Sequence, residues 1–262
     1  MDLRKWSRSE DISKSEWQEH PPVADMRAED SPGKVFDFFF NKALYSLIKE
    51  SMPYATQQGY PNFSVTVEEL RMAMGILLIS GYHRLPSRNH YWNLKADFMV
   101  DITGRTMPRN RFDKILRFLH IANSQRLDPD DRMGKLRPMM DHLQDVFQKA
   151  YIPEQHLSFD ESMVAYYGRH GCKQFIRGKP IRFGLKNVCL CMPLGYLIAF
   201  DTYQGKIYRC KGYDNFGKGG GCLLNITDSL QYDFNKLPTI FIVITVSQEC
   251  RSLRSLVTVD KV

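Results

Sequence analysis

The sequence predicts an α+β protein, with a helical N-terminal region followed by a run of strands. Three observations predict it. From Lys34 to about Tyr151 apolar residues recur at helical spacing. Near Gln155 the period changes, and segments rich in Val, Leu, Ile, Tyr and Phe take over. Helices followed by consecutive strands, rather than strict alternation of the two, indicate two domains or an α+β arrangement. The 262 residues suffice for one large domain or two small ones.

In chain order, residues 1–33 hold five Lys/Arg and eight Asp/Glu, and Pro21, Pro22 and Pro32 interrupt any helix, which predicts an acidic, mostly disordered arm. The first helix carries Val35, Phe36, Phe39, Ala43, Leu47 and Ile48 on one face. Thr66-Val-Glu-Glu69 is a capping box, in which the threonine hydroxyl and the glutamate satisfy orphan amides at a helix start. Leu70, Ala73, Met74, Leu77 and Leu78 follow it. A third helix opens at Pro108, with Phe112, Ile115, Leu116 and Leu119 as its stripe and Arg109, Arg111, Lys114 and Arg117 elsewhere on its surface. A fourth starts at about Pro138 and turns Met140, Leu143, Phe147 and Ala150 inward. Strands are expected at His156–Val164, Gly184–Met192 and Gly195–Tyr203, the last two joined by a hairpin turn.

Composition narrows the function classes. No stretch approaches the roughly 20 apolar residues of a membrane span, so no membrane partner is expected. The six cysteines form no CxxC pair and have no histidine at finger spacing, which favours reduced thiols over zinc. Net charge is +7; residues 1–33 contribute −3, which leaves +10 on the rest. A basic body suits a polyanion, although a merely soluble basic protein has the same charge.

Two segments could carry chemistry. Asp160-Glu161 lies in an apolar strand, and a carboxylate at a strand end can hold a divalent cation; an exposed strand-end acid is the bland alternative. Residues 162–200 contain no acid. They carry Arg169, Lys173, Arg177, Lys179, Arg182 and Lys186, interleaved with Tyr166, Tyr167, Phe175 and Phe183. That pattern is a candidate phosphate-tracking surface for double-stranded DNA, set against a plain solvated face. Gly212-Tyr-Asp-Asn-Phe-Gly-Lys-Gly219 nearly spells a phosphate-binding loop, but Gly219 stands where Ser or Thr is needed, and a flexible turn is expected instead.

Several ordered stretches carry a resemblance to a known family. They are Met107-Pro-Arg-Asn-Arg-Phe-Asp-Lys-Ile-Leu-Arg-Phe-Leu-His120, Asp130-Asp-Arg-Met-Gly-Lys-Leu-Arg-Pro138, Leu157-Ser-Phe-Asp-Glu-Ser-Met163, Gly178-Lys-Pro180 and Phe183-Gly-Leu-Lys186. In these the chain resembles the piggyBac transposases and their domesticated, transposable element-derived relatives, from Val35 to about Pro238. The resemblance implies a helical dimerisation and DNA-binding region over 34–155, hence a homodimer, and a partial RNase H-like core over 156–238. It implies cut-and-paste transposition in the nucleus, with Mg²⁺ held by several aspartates. By position Asp160 matches the first catalytic aspartate, and the Arg169–Lys186 strip matches a basic segment that approaches DNA.

The chain departs from that family where the second catalytic aspartate belongs. It reads Thr239-Ile-Phe-Ile-Val-Ile-Thr-Val-Ser247, without an acid. The expectation is therefore a truncated relative with a vestigial Mg²⁺ site at Asp160, catalytically inactive but able to bind DNA. A protein-interaction module and a decayed fragment without a stable fold are the alternatives. Residues 239–262 form a divergent tail, expected to be translated out of the ancestral frame. One restored base and suitable synonymous codons would spell an Asp-Asn-x-Phe motif whose aspartate codon spans those of Val243 and Ile244. A tail of that origin should be poorly ordered or docked only opportunistically.

Overall fold

The computed structural model describes residues 30–95, 98–151, 153, 156–205, 213–231, 240–244 and 255–259. Residues 1–29 of the expected acidic arm lie outside them. The described residues form two compact units: 31–128 with 134–139, and 129–133 with 140 onward.

The first unit is helical. Helix α1 spans Pro32–Gln57, and the Ser31 hydroxyl caps it by accepting the Lys34 N–H. Pro32 therefore begins a helix instead of breaking one. Its missing N–H falls where no intrahelical partner exists, and its fixed φ suits the first turn. Ala43, Leu44, Leu47, Ser51 and Ala55 are the buried residues of α1. Helix α2 spans Val67–Tyr82, and both hydrogen bonds of the expected capping box are present. A short helix, α3, covers Asp101–Thr106, and α4 follows over Arg109–Phe118 with Pro108 as its N-cap. Phe112, Ile115 and Phe118 of α4 join Leu44, Leu47, Leu70, Ala73 and Ile76 in one core. Arg111 is not a free surface cation: it grips Glu69 with two hydrogen bonds of 2.6 Å and donates a third to the Ser64 carbonyl.

The second unit is a sheet with helices. Helix α5 spans Arg137–Ala150. Strands β1 (His156–Ala165), β2 (Gln174–Phe175), β3 (Phe183–Cys191) and β4 (Leu197–Thr202) pair antiparallel, β1 and β4 flanking β3. Helix α6 (Tyr213–Asp228) then leads to β5 (Ile240–Ile244), which runs parallel to β1, and β6 (Ser255–Val259) pairs antiparallel with β5. A parallel neighbour needs a crossover, and α6 lies in the connection that supplies it. Three antiparallel strands, a helix and a strand returning beside the first give the RNase H-like arrangement. Leu157, Phe159, Val188, Leu190 and Ile198 of the sheet form its core with Cys222, Leu223 and Ile226 of α6.

One expectation is corrected here. The glycine-rich segment expected to be a flexible turn runs into α6 from Tyr213 onward. Glycine costs about 1 kcal/mol per position in a helix. The end of α6 that buries Cys222, Leu223 and Ile226 supplies apolar burial that offsets this. In the tail, residues 240–244 and 255–259 are strands paired into the sheet. Ile240-Phe-Ile-Val-Ile244 is all β-branched or aromatic, so it suits a strand whatever its history. No described helix is long and apolar enough to cross a membrane.

Candidate nucleic-acid interface

Strand β1 places the two acids of Asp160-Glu161 on opposite faces, because side chains alternate along a strand. Register sets Asp160 beside Cys189 and Glu161 beside Val188. Glu161 therefore shares a face with the buried Phe159 and Met163, where an unpaired carboxylate would be costly. Lys186 meets it: its ammonium donates to Glu161 Oε1 and lies over the Tyr203 ring, 5.4 Å from the centroid.

Asp160 is more open, with 42% of its side chain accessible. Its Oδ1 accepts the N–H of Glu161 at 2.7 Å, and its Oδ2 lies 3.8 Å from the ammonium of Lys179. Lys179 also donates to the Glu161 carbonyl at 2.9 Å. Two cysteines complete the surroundings. Burial first, and then the charges of Cys191 and Asp160, push the Cys189 thiol up to about 12. Burial followed by Asp160 also raises Cys191.

These residues do not fit Mg²⁺, the ion that the family resemblance implies. Mg²⁺ takes oxygen ligands from one or two carboxylates plus water or phosphate. Here the second carboxylate leaves the other face, a lysine approaches the first, and the residue paired with Asp160 on β3 is Cys189, a thiol. Sulfur is also the wrong donor for a hard ion. Among the described residues no three His, Cys, Asp or Glu side chains are gathered into a metal-binding group.

The six cations fall in three places. Arg169 and Lys173 are on the connection after β1, and Lys173 donates weakly to the Gly168 carbonyl while lying 5.7 Å from the Phe183 ring centroid. Arg177, Lys179 and Arg182 occupy a tight hairpin between β2 and β3, closed by the Ile176 N–H to the Arg182 carbonyl at 2.9 Å. Gly178 permits that hairpin, since its φ of 92° is in the region that favours glycine. Lys186 is in β3. Five of the six divide by occupation: Lys179 and Lys186 are engaged by the carboxylates of β1, whereas Arg169, Arg177 and Arg182 are exposed and have no ion-pair partner among the described residues. Phe175 and Phe183 flank the hairpin as an exposed pair with ring centroids 4.7 Å apart. The sequence pattern did not reveal Cys189 and Cys191 as neighbours of Asp160. Only the β1–β3 register brings them there.

Comparison with known proteins agrees with this fold. The family model described as transposase IS4 matches residues 31–256. The match continues past Pro238, where the family likeness was expected to stop. The chain is 38% identical over 211 residues to piggyBac transposable element-derived protein 3 of Homo sapiens, covering 80% of this chain and 35% of that protein. It is 35% identical over 213 residues to piggyBac transposable element-derived protein 2 of Homo sapiens, covering 80% of this chain and 36% of that protein. The chain thus spans about a third of the length of these relatives. A piggyBac transposase, solved by cryo-EM as a synaptic complex with hairpin DNA, shares the fold with a TM-score of 0.63 at 21% identity, over 74% of this chain and 43% of that one. With an RNase H-like sheet, the motifs along β1 and β3 and a family match over most of its length, the chain belongs to the piggyBac family of transposases and transposable element-derived proteins.

Proposed function

We propose that this chain is a DNA-binding relative of the transposases that does not itself cut or join strands, and that it acts in the nucleus. The observation that carries the DNA reading is that Arg169, Arg177 and Arg182, on connections within an acid-free segment, have no ion-pair partner among the described residues. Guanidinium groups without a protein carboxylate are available to phosphate, and the exposed Phe175–Phe183 pair offers an apolar surface beside them. The relative solved with hairpin DNA supports a nucleic-acid partner. The lack of strand chemistry follows from the donors around Asp160, which do not suit the metal that such chemistry uses.

The test is binding to a fluorescent duplex over a salt series. Binding should weaken steeply with salt. Changing Arg169, Arg177 and Arg182 together to Ala should lower affinity and flatten the slope by roughly one unit per lost phosphate contact. A triple variant that binds as the parent does would leave these arginines as a solvated face. Metal-dependent nicking by the parent, abolished by Asp160→Ala, would overturn the non-catalytic part.

A second reading, protein contact through the helical unit, has its own observation. Tyr45 on α1 and Leu78 and Tyr82 on α2 are exposed to 60%, 62% and 80%. A second copy of the chain is the proposed partner there, and sedimentation of the parent against Leu78→Glu would show a change of mass on dilution or substitution.

A further inference from the structure

We propose that Asp160 is the counter-ion of Lys179, and that it restrains nucleic-acid phosphate binding at this site instead of holding a divalent cation; the phosphate half of this inference rests on the DNA reading above. Lys179 lies where the two groups of charges meet. Its ammonium has three N–H donors. One is spent on the Glu161 carbonyl at 2.9 Å, which fixes the side chain along β1. Asp160 Oδ2 lies 3.8 Å away, within ion-pair range but beyond hydrogen-bond distance. The remaining donors are left for an incoming anion, and 24% of the side chain is accessible to one.

That position has two consequences. A divalent cation approaching Asp160 meets the ammonium already beside Oδ2, while Oδ1 is engaged by the Glu161 N–H at 2.7 Å. Like charges so close repel, and among the described residues no second carboxylate on that face offsets the repulsion. A phosphate approaching Lys179 meets the opposite arrangement. The ammonium attracts it while the Asp160 carboxylate repels it, and Arg177 and Arg182 extend from the same hairpin. Asp160 therefore subtracts from the basic surface next to it. Glu161 does not act this way, because its carboxylate is on the other face and held by Lys186.

The distinguishing variant is Asp160→Asn. Asparagine keeps an oxygen to accept the Glu161 N–H and loses only the charge. If Asp160 is a counter-ion, D160N binds duplex DNA several-fold more tightly than the parent, with a salt slope steeper by about one unit. The gain disappears in D160N combined with K179A. If Asp160 serves a metal, D160N binds DNA no better, or worse, in the presence of Mg²⁺, and the proposal fails. A second measurement does not depend on DNA. Mn²⁺ uptake by the full chain, followed by the electron paramagnetic resonance of free Mn²⁺, should be the same for parent and D160N. Uptake by the parent that D160N removes would overturn the proposal even if neither protein binds DNA. Absence of duplex binding with equal Mn²⁺ uptake would sink the DNA reading while keeping Asp160 off the metal.

Discussion

Helices α2 and α6 have the same length, 16 residues, and arise from opposite causes. Helix α2 is specified locally. Thr66 and Glu69 close a capping box, and Leu70, Ala73 and Ile76 follow at spacings that put them on one face. Helix α6 begins in a segment containing Gly217, Gly219, Gly220 and Gly221, which local propensity disfavours. Its stability comes from the sheet that Cys222, Leu223 and Ile226 cover. The difference teaches that capping chemistry can be decoded residue by residue, whereas a helix made by tertiary burial is invisible until its partner strands are placed.

The largest expected effects test the two cores against each other. Phe112→Ala empties a site that is 1% exposed at the centre of the helical unit and should cost about 3–5 kcal/mol. Leu223→Ala removes a fully buried side chain between α6 and the sheet and should cost about 2–5 kcal/mol. Denaturant midpoints measure both. Far-ultraviolet circular dichroism of the second variant sharpens the comparison. If α6 depends on burial, helix content falls in Leu223→Ala even under conditions where the protein stays folded. Unchanged helix content would mean that α6 is locally stable after all.

The next effect concerns β1 and β3. A Cβ on Gly184 would lie 2.0 Å from the Val164 carbonyl oxygen, a contact with backbone that no rotamer relieves. Gly184→Ala should therefore destabilise by about 1–3 kcal/mol through strain at the end of the β1–β3 pairing. Amide exchange at residues 184–186 should rise most. A smaller effect is expected at the local device of α2, where Thr66→Ala removes one capping hydrogen bond and should cost about 1 kcal/mol. A cost near zero would mean that Glu69 and Arg111 secure the helix start alone.

Much of the fold was legible in the sequence for the same reason that α2 was. The strands around Asp160, Gly184 and Leu197 announce themselves by composition, and they fall within a residue or two of where the sequence puts them. Three kinds of feature were not legible. Leu44 and Phe118 are core residues that a narrower apolar stripe leaves out, because the core contacts more than one edge of α1 and α4. Helix α6 and strands β5 and β6 depend on partners distant in sequence. At the candidate site, the basic strip was visible as composition, but which of its cations meet an acid among the described residues was not. That pairing is a matter of register: alternation sends Glu161 to Lys186 and leaves Asp160 to Lys179, and composition carries no information about which cation meets which acid.

The last and smallest effect separates charge from geometry at the start of α2. Glu69 accepts the Thr66 N–H through Oε2 and receives Arg111 on both oxygens. The Arg111 hydrogen bonds, opposed by partial burial and reinforced by the Thr66 amide, hold its carboxyl below the ordinary 4.5. A depressed folded-state value means that the unfolded chain takes up the proton first. The stabilisation is therefore complete above about pH 4.5 and is lost as pH falls through the folded-state value. Glu69→Gln keeps the shape and an oxygen for the Thr66 amide, but has no charge to titrate. Its cost relative to the parent should be largest at pH 7 and shrink toward pH 3. The pH-dependent part should stay under about 1 kcal/mol, because the pair is only half-buried. Urea midpoints of parent and variant at pH 7, 5, 4 and 3 give that difference directly, and other carboxylates cancel in it. A gap that stays constant over this range would mean that Arg111 holds Glu69 by shape and hydrogen bonding alone, leaving the cap of α2 indifferent to charge.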